Sequence, residues 1–243
     1  MRKIKIFFIK RKYLYLILSL ALTLLIIVTP LFLVFFPAKL TNVFVDPKNR
    51  IIIIDPGHGG IDGGTAKKGI LEKDINLDIS KKLMNLLVQK GYTVIMTREK
   101  DISLEKLGQT GRNRHSRDLN ARVNIINKSN AQLFLSIHVN CNDKKPSTDG
   151  SIVFYNDKFQ QNKKLAYSVQ RALNNMIVNE KKRTLHDPVK AKYYILNYSD
   201  IPGALIETAF ISNAKERQLL LKETFRAEIA EAIAAGIEQY LKD

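Results

Sequence analysis

Cysteine and tryptophan are almost missing from these 243 residues, which contain one Cys and no Trp. A single thiol excludes an intramolecular disulfide and any metal cluster built from cysteines. Histidine is scarce as well, at four residues, so two of them at matched positions would carry weight. Acidic side chains are outnumbered, 23 Asp and Glu against 39 Lys and Arg, for a formal net charge of +16. No internal repeat, low-complexity tract or nucleic-acid-binding motif accompanies that charge, so nucleic acid is not the expected partner. Apolar residues are plentiful at 45%, which excludes wholesale disorder and leaves room for one sizeable core.

The positive charge is partly local. Arg2, Lys3, Lys5, Lys10, Arg11 and Lys12 supply six charges before residue 13; without them 33 basic residues face 23 acidic ones, an excess of +10. The cluster leads into Tyr13–Phe36, 24 residues without a charge. As a helix this run would span roughly 36 Å, enough for a hydrocarbon core of roughly 30 Å. It is longer than the apolar region of a cleaved signal, and Phe35-Phe36-Pro37-Ala38 makes a poor small-x-small cleavage site. Residues 13–36 are therefore expected to be an uncleaved transmembrane anchor. The basic segment 1–12 would stay cytoplasmic and everything after the anchor would lie outside the membrane. Residues 37–50 read as a linker, and 51–243 as one catalytic-sized domain.

Within that domain, short apolar runs alternate with amphipathic stretches. Ile51–Ile54 reads as a buried strand, residues 72–90 as a helix ending at Gly91, and Tyr92–Thr97 as the next strand. Residues 100–116 suggest an exposed basic loop. A helix through Leu119, Val123 and Ile126 and a strand Gln132–Ile137 follow. Ser151–Tyr155 is expected to be a strand, Leu165–Val178 a helix, Tyr193–Leu196 and Ala204–Ile206 short strands, and 213–241 one or two helices. Such alternation predicts an α/β fold, a central, mostly parallel sheet flanked by helices. Ligands in such folds sit beyond the carboxyl ends of the strands.

Two histidines fall there. Ile51–Ile54 runs into Asp55-Pro56-Gly57-His58-Gly59-Gly60, and the strand Gln132–Ile137 runs into His138. Neutral imidazoles at the ends of buried strands are good zinc ligands, and a catalytic zinc commonly takes three protein ligands. The third would be a carboxylate. Asp62, Glu72 and Asp74 all lie in range, with Glu72 favoured by its longer reach; composition does not choose among them. Glu207 follows the apolar run Ala204-Leu205-Ile206. A carboxylate there is costly unless paired or put to work, and near a metal it is the expected general base.

Taken in order, Asp55-Pro56-Gly57-His58-Gly59-Gly60, Glu72-Lys73-Asp74-Ile75-Asn76-Leu77, Thr97-Arg98, Ser136-Ile137-His138-Val139-Asn140 and Ile206-Glu207-Thr208-Ala209-Phe210-Ile211-Ser212-Asn213 resemble the zinc-dependent N-acetylmuramoyl-L-alanine amidases. The resemblance covers about residues 50–241. It implies Zn2+ held by His58, Glu72 and His138, with Glu207 as the catalytic residue. It also implies hydrolysis of the amide joining the muramic acid lactyl group to L-Ala in peptidoglycan. The single-domain plan, the N-terminal apolar segment and the long basic stretch Gly108–Arg117 look like the sporulation-specific branch, which prepares cortex peptidoglycan for muramic-δ-lactam. That branch would place the domain on the extracytoplasmic side of a membrane, in the intermembrane space of a forespore.

Cys141 stands where the family often has Ala and is expected to be a small buried residue. Asn140 and Arg98 are candidates for shaping the cleft. His115 and His186 sit in polar stretches and are expected to be solvated. A zinc peptidase acting on another wall bond, or a non-catalytic wall-binding module, are the competing readings; the four intact site residues argue against the second. Some family members carry a helix that covers the metal until an activating protein partner moves it. Asn179–Lys192 lacks the apolar face such a lid needs, so an open groove is expected.

Overall fold

The four isoleucines Ile51–Ile54 are β-branched and buried or nearly so, and their stiff side chains suit a pleated strand covered on both faces. In the computed structural model they open the continuous described range, residues 51–242; Arg11, Lys12, Tyr15, Ser19, Leu20, Thr23 and Leu24 are described as well and are helical. The expected anchor 13–36, the basic segment 1–12 and the linker 37–50 otherwise lie outside the described residues. Among the described residues no helix is long and apolar enough to cross a membrane.

Strands β1 (Ile51–Pro56), β2 (Ala66–Lys67), β3 (Ile70–Leu71), β4 (Thr93–Met96), β5 (Leu133–Asn140), β6 (Ile152–Tyr155), β7 (Ile177–Val178), β8 (Lys181–Lys182), β9 (Val189–Lys190) and β10 (Gly203–Phe210) alternate with helices α1 (Glu72–Gln89), α2 (Arg114–Lys128), α3 (Gln160–Asn174), α4 (Tyr194–Tyr198), α5 (Ala214–Leu220) and α6 (Glu223–Lys242). Six strands form one sheet in the order β4-β1-β5-β10-β6-β9. β4, β1, β5 and β10 are mutually parallel, whereas β6 is antiparallel to β10. The fold is thus the expected α/β domain with a mostly parallel sheet.

Alternate residues divide the core. Ile52, Ile54, Leu135, Ile137, Ala204 and Ile206 face the larger cluster, which includes Ile79 and Leu83 of α1, Val169 of α3 and Ile233 of α6. Ile53, Phe134 and Leu205 face the smaller one, with Val123 and Ile126 of α2 and Ile195 of α4. Each fully buried Ile or Leu contributes roughly 1.5–3 kcal/mol, so the thicker layer carries most of the stability. The thinner layer stops short of the strand ends, and the polar residues of β1, β5 and β10 emerge on that face.

Several boundaries differ from expectation. The helix expected at Leu165–Val178 occupies Gln160–Asn174 and is followed by the β7–β8 hairpin, whose turn residues Asn179 and Glu180 have positive φ. Tyr193–Leu196 is not a strand; the run becomes the short helix α4, which buries Ile195 and Leu196 under the sheet. The loop 100–116 contains a 3-10 turn at Glu105–Leu107 and ends where Asn113 caps α2 through a reciprocal capping box with Ser116.

Candidate active site

β5 does not end before His138 but runs on to Asn140, because β10 stays paired with it. Glu207 is the register partner of His138, and Leu205 that of Ser136. Paired residues on parallel strands point to the same face, so Ser136, His138 and Glu207 rise together on the thinner side of the sheet. Asp55, register partner of Ser136, joins them from β1. After β10 passes Glu207 its register shifts before Phe210, a bulge of the kind that re-aims side chains near sites.

His58 arrives differently. The chain leaves β1 through Gly57, where an added Cβ would stand 2.2 Å from the His138 ring. His58 itself adopts φ 61°, and its ring meets that of His138 edge-on, with centroids 5.0 Å apart. Glu72 comes from the first turn of α1 and is buried. Its Oε1 lies 2.9 Å from His138 Nδ1 and 3.3 Å from His58 Nε2. The same oxygen accepts from the Val139 backbone at 3.1 Å and from Asn76 Nδ2 at 3.2 Å, while Oε2 accepts from the Thr65 backbone at 2.8 Å. A side chain at Gly64 would collide with Glu72 Oε2 at 2.5 Å, so that close packing needs glycine.

One ligand atom from each of His58, Glu72 and His138 lies within 4.8 Å of the other two. Ligands about 2.0–2.2 Å from a shared zinc are separated by roughly 3–4 Å, so two imidazoles and a carboxylate in this arrangement fit the ion by number, chemistry and spacing. Asp62, the other acid in range, turns to His58 instead: its Oδ2 lies 2.9 Å from His58 Nδ1, a carboxylate–histidine pairing that fixes the ring's orientation. Asp74 is exposed in the first turn of α1, where it complements the helix dipole.

The electrostatics are polarised. Burial works against a charged Glu72, but its contacts with His138 and His58 override that and hold its carboxyl well below the usual range. Burial likewise works against a charged His58, yet Glu72 and then Asp62 raise its pKa to about 9. Glu207 goes the other way: burial pushes it up to about 7, with only partial relief from His138. Its Oε2 is shielded from solvent and has no hydrogen-bond partner. A carboxyl poised near neutrality with a free oxygen suits proton transfer.

These groups open into a cavity of about 510 Å³, also lined by Asn140, Cys141, His115, Lys192 and Tyr193. Asn140 uses Oδ1 to accept from the Cys141 backbone at 2.8 Å. Cys141 is half-buried, packed against the larger core cluster and lining the cavity wall. Arg98 does not line the cavity; it is buried behind the His58 loop. His115 is largely exposed, as expected, whereas His186 is half-buried with Nε2 2.7 Å from the Asp149 carbonyl oxygen. Asp55, Asp118 and Arg122, which form a buried ion network under the site, were not singled out from sequence. The Asp118–Arg122 spacing of one helical turn is the one signal that could have found part of it.

Ligand-type side chains lining a cavity beside a separately held proton acceptor are the requirements of metal-assisted amide hydrolysis. Comparison with known proteins makes the class specific. Residues 52–239 match the N-acetylmuramoyl-L-alanine amidase family, and the chain belongs to it. The germination-specific N-acetylmuramoyl-L-alanine amidase of Bacillus subtilis is 37% identical over 197 residues, covering 80% of this chain and 81% of that protein. The structure of the CwlD amidase from Clostridioides difficile, in complex with the GerS lipoprotein, superposes with a TM-score of 0.72 at 41% identity, covering 80% of this chain and 99% of that one. An N-acetylmuramoyl-L-alanine amidase from Clostridium difficile 630 follows with a TM-score of 0.69 at 30% identity, covering 81% of this chain and 98% of that one.

Proposed function

We propose that the chain is a zinc-dependent amidase in which His58, Glu72 and His138 hold the metal and Glu207 handles the proton. The observation that supports this most is the convergence of those three ligand atoms beside Glu207, whose shielded Oε2 has no hydrogen-bond partner and whose pKa is raised to about 7. When bound, zinc supplies Lewis acidity to water and to the amide carbonyl. Asp62 holds the His58 ring and Asn76 holds Glu72, so both ligands are oriented before the metal arrives. Glu207 takes the proton of the attacking water and passes it to the departing L-Ala amine. The bond broken is the amide between the lactyl group and L-Ala, and the products are a free lactyl carboxylate and a free stem peptide. No nucleophilic Ser or Cys is needed; Cys141 is a wall residue of the cavity.

We infer further that the substrate is spore-cortex peptidoglycan on the route to muramic-δ-lactam, a reading supported by likeness to the germination-specific and CwlD amidases. Six basic residues followed by 24 uncharged ones support an anchored enzyme with its catalytic domain on the extracytoplasmic side, between the forespore membranes. An external protein partner fits this location; the CwlD structure contains a lipoprotein bound to the amidase. Mass spectrometry of muropeptides after incubation with purified protein and zinc tests the chemistry. Intact stem peptides beginning at L-Ala are expected, and cleavage at any other bond overturns the assignment. Recovery of a mature N-terminus near residue 38 from cells would overturn the anchor.

A further inference from the structure

The loop that carries His58 is gripped from two sides by buried arginines that take no part in the chemistry above. Arg122, on α2, is 2% exposed. Its Nη1 donates to the Pro56 carbonyl and to Asp55 Oδ1, each at 2.7 Å, and its Nη2 donates to the His58 carbonyl at 2.6 Å. Asp118, one turn earlier on the helix, accepts from Nε at 2.5 Å and so aims the guanidinium. Arg98 approaches from the other side. Its Nε donates to Pro56 and its Nη2 to the carbonyls of Gly57 and Lys73, all at 2.9 Å. Three successive loop carbonyls therefore meet charged donors, and one of those donors also holds the residue next to Glu72.

That investment is not explained by stability alone. Burying Arg122 with Asp55 and Asp118 removes three charges from water, and apolar residues of similar volume often serve a core as well or better. The donors converge instead on the one residue of the site held in a disfavoured backbone conformation. A left-handed φ such as the 61° of His58 is disfavoured for a non-glycine residue and persists only where its surroundings impose it. Charge-assisted hydrogen bonds are roughly twice as strong as neutral ones, and the arginine fork reaches two carbonyls at once where lysine would reach one.

We propose that Arg122 is a positioning residue: by fixing the peptide that follows His58, it turns the imidazole toward Glu72 and His138 and so sets the metal affinity of the site. The proposal rests on the reading that these three residues hold zinc. Its test is a zinc titration of the full chain, stripped with a chelator, with the melting temperature of the metal-free protein measured alongside. Arg122→Lys is expected to weaken zinc binding by about 10–100-fold, with kcat recovering at saturating zinc. Arg226→Lys is the comparator. Arg226 makes a similar half-buried pair with Asp78 at 2.5 Å, joining α6 to α1 away from the His58 loop, so its loss should lower the melting temperature without a matching loss of zinc affinity.

Zinc affinity in Arg122→Lys that equals wild type, or that falls no further than in Arg226→Lys at the same melting temperature, overturns the proposal. Should Arg122→Lys fail to fold, Asp118→Asn decides, since it leaves Arg122 in place and keeps an oxygen for the Leu104 amide while removing the charge that aims the guanidinium. About 10-fold weaker zinc binding is expected there, and no change overturns the idea. Failure of the wild-type chain itself to bind zinc overturns the ligand assignment and this proposal together. A wild type that binds alongside an unaltered variant overturns the proposal alone.

Discussion

Glu72 and Glu207 are two carboxylates in one cavity, and the fold treats them in opposite ways. Glu72 accepts from two backbone amides, the Asn76 amide and two imidazoles, and is held ionised. Glu207 sits in β10 with a shielded oxygen that has no hydrogen-bond partner, and burial raises it to about 7. A metal ligand must be charged and still, whereas a proton carrier must be able to exchange between two states. The difference arises from surroundings: Glu72 is met by the backbone amides of Thr65 and Val139, whereas no donor reaches Glu207 Oε2.

If that division is right, the two sides should break differently. The largest effect is expected from the ligand side. His58→Ala or His138→Ala should abolish stoichiometric zinc binding and hydrolysis together, as metal analysis and muropeptide release can measure; full zinc retention in both variants would overturn the assignment. Glu207→Gln comes next. It should fold, keep its zinc and lose about 10²–10⁴-fold in turnover, the usual cost of removing a general base. Near-normal turnover would mean that another group carries the proton.

A third test sharpens the contrast through pH in the metal-free protein. Burial raises Glu207 from its ordinary 4.5 to about 7, so the native state holds that proton more tightly than the unfolded chain does. The stability it confers is complete below pH 4.5 and is lost as the pH rises through 7. His58, raised from 6.5 to about 9, adds a second loss that completes only as the pH passes 9. Melting temperatures of chelated wild type and Glu207→Gln should therefore diverge between pH 4.5 and 8, with the variant gaining relative to wild type. Parallel curves would show that Glu207 does not titrate in that window.

The two sides were also unequally legible in the sequence. His58 and His138 could be found because each follows an apolar run read as a buried strand, the first from its four β-branched residues before a Pro-Gly turn, and the sheet edge is where such runs deliver side chains. Glu207 was visible for the same reason. Glu72 could not be separated from Asp62 and Asp74 by pattern, because a helix start tolerates acids at several positions; the family resemblance chose it, and its distances to both imidazoles fit that choice. The arginine grip on the His58 loop was hidden, since it joins β1 to residues 42 and 66 positions further along through carbonyls that carry no sequence signal. Tyr193–Leu196 misled for a simpler reason. A four-residue apolar run fits a strand and a turn of buried helix equally, and only the packing of Ile195 and Leu196 decides.

The smallest effect is expected at Asn179–Lys192, where the question is whether anything covers the cavity. Of that segment only Lys192 lines it; β9 pairs with the outer edge of β6, and β7–β8 forms a hairpin elsewhere. Removing Glu180–Thr184 is a poor probe, because it takes away Arg183, whose side chain is largely buried. It pairs with Glu216 and donates to Ser151 Oγ at 2.8 Å and to the Thr208 carbonyl at 2.9 Å, beside Glu207. Such a deletion should destabilise the domain and lower activity whatever the segment does. Lys181 and Lys182 are the better choice. Both are exposed at the hairpin, and surface substitutions away from packed features usually shift stability by no more than about 0.5 kcal/mol. Lys181→Ser with Lys182→Ser should leave zinc affinity, melting temperature and turnover on soluble muropeptides at wild-type values. A several-fold rise in turnover would reveal that the hairpin restrains the site, and the open groove would have to be given up.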